Sequence, residues 1–198
     1  MGLCNRLSRT NQNRVRNAAR IFLPLLLMLL TACASTTQPA KTDAPIDVPA
    51  NLHVDGPIIA HVHAAGFQVY TCVADATGTL AWVLKAPDAT FTGDNGLTGK
   101  HYAGPTWEST TDGSKVVGRK LADHASPVDG AIPWLLLEAA SHDGSGTFAG
   151  VTFIQRVNTA GGKAPSVADA KAGDEVRVAY TADYVFYGPG ATTQPTTP

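Results

Sequence analysis

Residues 67–73 read Phe67-Gln68-Val69-Tyr70-Thr71-Cys72-Val73. Phe67, Val69, Thr71 and Val73 alternate with Gln68, Tyr70 and Cys72, and a period of two sends the two sets to opposite faces of an extended chain. The enrichment in β-branched and aromatic side chains makes this a half-buried strand. The same alternation recurs at Leu80, Trp82 and Leu84, where Pro87 stops it, and again at Val176, Val178 and Tyr180, before Tyr184 to Tyr187 closes the domain. Trp134 to Leu137 is instead a continuous apolar run, which suits a strand covered on both faces. Between these segments stand Asp94-Asn95-Gly96, Asp112-Gly113 and Asp143-Gly144-Ser145-Gly146, residues that tolerate the positive φ of tight turns. After the last of these turns come Val151, Phe153 and Arg156. No long 3.6-residue period interrupts the pattern. Many short strands with frequent turns predict an all-β, antiparallel domain over residues 49–187, either a sandwich or a barrel-like closed sheet. Strand order is not written in the alternation, so both remain open.

The flanks have a different composition. The first twenty residues carry Arg6, Arg9, Arg14, Arg16 and Arg20 without an acidic residue, followed by the apolar run Ile21 to Leu30. That run is too short to span a bilayer, which takes about 20 apolar residues, and it has the form of an export signal. Its end, Leu30-Thr31-Ala32-Cys33, resembles the bacterial lipoprotein signal, in which a thiol is required because the lipid is joined as a thioether. The resemblance implies a signal peptide over 1–33 with Cys33 retained as the lipidated residue. Ala34 rather than Asp after it implies sorting to the outer membrane, facing the periplasm. The alternative is an ordinary cleaved signal and a secreted protein. Residues 34–48 are small, polar and rich in proline and threonine, as expected of a flexible linker, and 188–198 read as a disordered tail. Without the leader, ten basic residues face sixteen acidic ones, a net charge of −6. That balance argues against nucleic acid as a partner and against a polybasic membrane contact. The expected membrane partner is reached through the lipid at Cys33.

Five blocks occur in order along the domain: GFQVYTC, HYAGPTWES with DGSKVVG, IPWLLLEA, TFIQRVNTAGG and EVRVAYTADYVFY. Together they resemble domain of unknown function 3455, found in secreted bacterial and fungal proteins. The resemblance runs from about Pro49 to Tyr187 and implies a single β domain and an exported life, with no activity to carry over. Members of that family often place a second cysteine in the loop after the RVNT-GG block. Here Ser166, Val167, Ala168 and Asp169 stand in that place. If that cysteine pairs with the one at Cys72 in the relatives, the disulfide is missing here, and Cys72 is either an inert buried thiol or a reactive one.

The densest polar and aromatic cluster is Lys100 to Ser109. His101, Tyr102, Trp107 and Glu108 fall around the bend of Gly104-Pro105, a composition fit for a ligand pocket or for a structural corner plugged by the tryptophan. His101 and Glu108 also supply an acid and a base, the ingredients of a hydrolase if they converge in a cleft. His61 and His63 lie two apart and so on one strand face, a pair of nitrogens suited to copper or zinc if a third ligand joins from His101, His124, His142 or a carboxylate. Arg156 and Glu138 are expected to pair across neighbouring strands, and Gln68, Tyr70 and Cys72 to form one polar layer. No G-x-S-x-G elbow, phosphate-binding glycine loop or H-E-x-x-H helix occurs. The sequence therefore favours a cell-envelope lipoprotein with a binding or structural module that meets a small ligand or another envelope protein. A copper or zinc protein and a hydrolase are the alternatives, and no cofactor is specified.

Overall fold

The computed structural model describes residues 47–193. Within them ten strands form: β1 (Val54–Asp55), β2 (Ile58–Ala74), β3 (Leu80–Gly93), β4 (Thr98–Tyr102), β5 (Thr106–Ser109), β6 (Lys115–His124), β7 (Trp134–Asp143), β8 (Phe153–Gly161), β9 (Glu175–Tyr187) and β10 (Thr192–Thr193). Each of β2 to β9 pairs antiparallel with its neighbour in sequence, and β2 also pairs with β9, from Ile58 against Tyr187 to Thr71 against Glu175. That last ladder closes the sheet, so the fold is an eight-stranded up-and-down barrel. Closure removes the two free edges an open sheet would expose. The predicted turns sit between strands, with positive φ at Asn95, Gly96, Gly113 and Gly144.

The alternation on β2 resolves in an instructive direction. Val62, Ala64, Gln68, Tyr70 and Cys72 are buried, whereas Phe67 and Val73 are exposed. The polar set of the opening heptapeptide thus points into the barrel, and the apolar set points out. Phe67 is covered on the outside by the Arg177 guanidinium, 4.5 Å from its ring centre. The interior is packed with aromatic rings: Trp107 meets Tyr184 edge-on at 5.1 Å and Phe186 at 5.9 Å, and Phe148 closes on Phe186 at 4.7 Å.

The run Trp134 to Leu137 is covered on both faces. Leu135 and Leu137 join the interior core, while Trp134 and Leu136 belong to a second cluster with Leu52, Val54, Val157, Val185 and Tyr187. This outer cluster is roofed by the segment before β2. Val48 packs against it, and Gln155 fastens the segment by donating from Nε2 to the Leu52 carbonyl at 2.5 Å while accepting from the Tyr187 hydroxyl at 2.7 Å. On the far side β10 pairs with β1, and Ala191 packs on the same cluster. Ordered structure therefore runs past the expected boundary at Tyr187, because the chain after it finds a strand partner. The leader 1–33, Cys33 itself, residues 34–46 and residues 194–198 lie outside the described residues.

Cys72 is 1% exposed and is a free thiol. The loop that carries Ser166 is held to this part of the barrel by other means. The Ser166 carbonyl accepts from Trp82 Nε1 at 3.3 Å, and the main chain of Cys72 exchanges bonds with Gly173 and Asp174.

Candidate functional site

Strands β4 and β5 form a hairpin whose turn, Ala103 to Pro105, is tied by the Thr106 hydroxyl donating to the Ala103 carbonyl at 2.8 Å. Register places His101 directly opposite Trp107 and Lys100 opposite Glu108. Pleating then separates the four residues of the predicted cluster into two pairs on opposite faces. His101 and Trp107 point inward. Tyr102 and Glu108 point outward, with the tyrosine hydroxyl donating to Glu108 Oε2 at 2.8 Å and Lys115 Nζ 3.8 Å from Glu108 Oε1. This corrects the hydrolase expectation: His101 and Glu108 diverge across the sheet, so no cleft brings that acid and base to one substrate. Gly104-Pro105 does bend the chain, but the bend apposes His101 with Trp107.

Burial drives the His101 pKa down to about 3, against the pull of its backbone hydrogen bond, so the ring is neutral across the physiological range. Its Nδ1 lies 2.9 Å from the Thr106 carbonyl, which can only accept. The proton therefore sits on Nδ1, and Nε2 keeps a bare lone pair.

Inward-facing residues meet at the end of the barrel that carries the β4–β5 turn. A cavity of about 350 Å³ opens there, lined by Gln68 and His101, by Arg156 from β8, by Leu135 and by the Ala103–Pro105 turn. Gln68 is 1% exposed, and its Nε2 has no hydrogen-bond partner among the described residues. Arg156 pairs in register with Leu135 and Tyr184, two residues of the inner face. Its Nε and one terminal nitrogen both donate to the Pro133 carbonyl, at 3.0 and 2.8 Å. It lies close enough to His101, Tyr70, Tyr180 and Tyr184 to act on their protonation. The expected Arg156–Glu138 pair does not form. Glu138 shares the outer face with Leu136 and is paired with Arg119 instead. From sequence alone Arg156 is a structural charge and Gln68 a member of a polar layer. The available signal for a site was their even spacing from inward-facing Ile154 and Tyr70, which reads only after the inner face is known.

His61 and His63 both lie on β2, but their surroundings differ. His63 donates from Nδ1 to Asp183 at 2.7 Å, and Asp183 also accepts from Asn158 at 2.8 Å. His61 lines a separate cavity of about 340 Å³ at the opposite end of the barrel, beside Asp94 and Asn95. His101 is inside the barrel, and His142 is engaged with the Val151 carbonyl at 2.7 Å. Among the described residues no group of three histidine, cysteine or acidic side chains is gathered to hold a metal.

Residues 90–188 match the model of a family described as protein of unknown function (DUF3455). The match takes in β4 to β9, and so includes His101, Trp107 and Arg156. No curated protein and no solved structure matches the chain.

Proposed function

The chain belongs to the family of proteins of unknown function DUF3455, and from that premise we propose that it is a cell-envelope lipoprotein whose barrel is a binding module for a small ligand. The envelope part of this reading rests on the sequence: a basic leader, a short apolar run and the Leu30-Thr31-Ala32-Cys33 ending, followed by a proline- and threonine-rich linker. Several acyl chains on Cys33 make a durable anchor, each buried methylene contributing roughly 0.8 kcal/mol. Ala34 favours the outer membrane, with the barrel in the periplasm.

The observation that carries the binding part is the barrel-end cavity, where two side chains that are nearly fully buried, Gln68 and His101, line an open space of about 350 Å³. Polar groups are buried in a packed barrel at a cost, and an unpartnered amide donor facing a cavity is the arrangement a ligand acceptor would satisfy. The two halves are tested separately. Cells expressing the full chain and fed a fatty-acid analogue are expected to label the protein, and Cys33→Ser to abolish the label; equal labelling of the variant would reject lipidation at Cys33. Titration of the full chain in detergent with small aromatic probes is expected to show saturable binding that Gln68→Leu weakens. Saturation unaffected by that change would move the ligand away from this cavity.

A further inference from the structure

We propose that the barrel-end cavity takes a small organic carboxylate, with the Arg156 guanidinium holding its charge and Gln68 supplying a second donor. This deepens the binding reading above and rests on it. A guanidinium carries five N–H groups. Nε and one terminal nitrogen both donate to the single carbonyl of Pro133, which uses the side-on edge of the fork. Of the three N–H groups that remain, one meets the Tyr184 hydroxyl, and the other two stay available to the oxygens of a planar carboxylate.

Charge points the same way. Among the described residues no acidic side chain forms an ion pair with Arg156, although it is half-buried at the inner face. A partly desolvated cation without a counter-ion is costly, and an anionic guest offsets that cost. Lys85, the other cation lining the cavity, is already paired with Glu175 and is not the anion holder. Gln68 Nε2, also without a partner, calls for an acceptor, and an ionised carboxylate offers acceptors only.

The rest of the lining excludes a bare inorganic anion as the best guest. Ala86, Pro87, Ala103, Pro105 and Leu135 give apolar walls that an organic body would cover. A cavity of about 350 Å³ is at the small end of the range for small-molecule sites. His101, with its proton committed to the Thr106 carbonyl, offers the guest an acceptor and no positive charge. The guest is thus a compact acid, of one ring or a short chain.

The test uses benzoate, its neutral isostere benzamide, and inorganic phosphate, each titrated against the full chain in detergent by calorimetry. Benzoate is expected to bind about tenfold or more tighter than benzamide, since a hydrogen bond to a charged group outweighs a neutral one by that order. Phosphate is expected to bind more weakly than benzoate. Arg156→Gln should erase the preference for benzoate over benzamide. Because that change also frees the Pro133 carbonyl, Gln68→Leu serves as a second variant, expected to weaken benzoate at least fivefold while the thermal unfolding transition persists. Benzamide binding as tightly as benzoate, with Gln68→Leu still weakening both, would overturn the carboxylate assignment and leave the binding module standing. Phosphate matching benzoate would overturn the organic character of the guest. Failure of all three probes to bind would overturn the inference together with the reading it rests on.

Discussion

The imidazole of His101 lies flat on the indole of Trp107, ring centres 4.3 Å apart and planes 14° from parallel. The contact arises from two facts about the hairpin. The residues are a direct cross-strand pair, and both face inward, where Tyr184 closes on both rings at 5.1 Å. Burying a histidine in that setting holds it neutral, and the Thr106 carbonyl fixes where its proton sits. The cluster that looked like a site in sequence is therefore half core and half surface.

That division predicts different costs for neighbouring residues. Trp107→Ala removes one of the largest fully buried side chains and is expected to cost about 3–5 kcal/mol, the range for truncating a core aromatic. Tyr102→Phe breaks only the half-buried bond to Glu108 and is expected to cost less than about 1 kcal/mol. Urea unfolding of both variants reads the difference. Comparable losses at the two positions would contradict the inward–outward division.

Acid should act through His101. Its folded pKa of about 3 lies below its ordinary value of 6.5, so the unfolded chain binds a proton that the folded one excludes. The penalty is absent above pH 6.5, grows as pH falls through the interval, and is complete near pH 3. Its steepest slope is about 1.4 kcal/mol per pH unit. His101→Leu is expected to lower stability at pH 7 and to flatten the dependence between pH 4 and 6 in urea titrations. A variant as steep as the parent in that interval would assign the acid sensitivity elsewhere.

Much of the barrel was legible in the chain, for reasons that individual residues make plain. The alternation of Phe67 to Val73 and the doubly apolar Trp134 to Leu137 encode strands and their burial, since a pleated backbone leaves a side chain only two directions. Closure was not legible, because it depends on β2 meeting β9, more than a hundred residues away, and nothing local marks that pairing. Nor was the sense of the inner face. A hydrophobicity reading of Phe67 against Gln68 favours the phenylalanine as the buried one, yet the barrel turns Gln68 in and shields Phe67 with Arg177. Once the face is inverted, the inward placement of Gln68 and its share in the Arg156 cavity follow. The His101–Glu108 convergence failed for the same geometric reason, since residues of opposite parity on paired strands face away from each other.

Asp112 joins two turns. Its Oδ1 accepts from the amide and hydroxyl of Ser114, at 2.9 and 2.6 Å, and its Oδ2 from the amide and hydroxyl of Thr147, at 2.9 and 2.8 Å. Desolvation opposes the charge, but these bonds outweigh it and hold the carboxyl well below the usual carboxylate range. A depressed pKa contributes stability that is present above the unfolded value of 3.8 and is lost as pH falls below it. Because the side chain is exposed, solvent screening limits the contribution to about 1 kcal/mol. Asp112→Asn should therefore be less stable than the parent at pH 7, with the difference shrinking towards pH 2. A gap that stays constant with pH would mean that the charge on Asp112 contributes nothing.

A tight steric constraint on the barrel wall falls on Gly66. Its backbone is ordinary extended strand, so the requirement is steric and owes nothing to left-handed conformation. A Cβ added there would fall 2.3 Å from the Asp88 carbonyl oxygen and 2.4 Å from the Ala89 Cα. Both are main-chain atoms of the paired strand β3, and neither can swing aside as a flexible side chain would. Gly66 sits at the crossing of two ladders, opposite Ala89 on one side and Tyr180 on the other. Relief of the clash would therefore have to spread β2 away from β3 within a closed sheet, where the neighbouring ladders resist the movement. Gly66→Ala is expected to cost about 3 kcal/mol or more, beyond what overpacking a pliable core does. Thermal and urea unfolding read that loss. A Gly66→Ala protein with parental stability would show that β2 and β3 do not approach each other as closely at this point as the closed barrel requires.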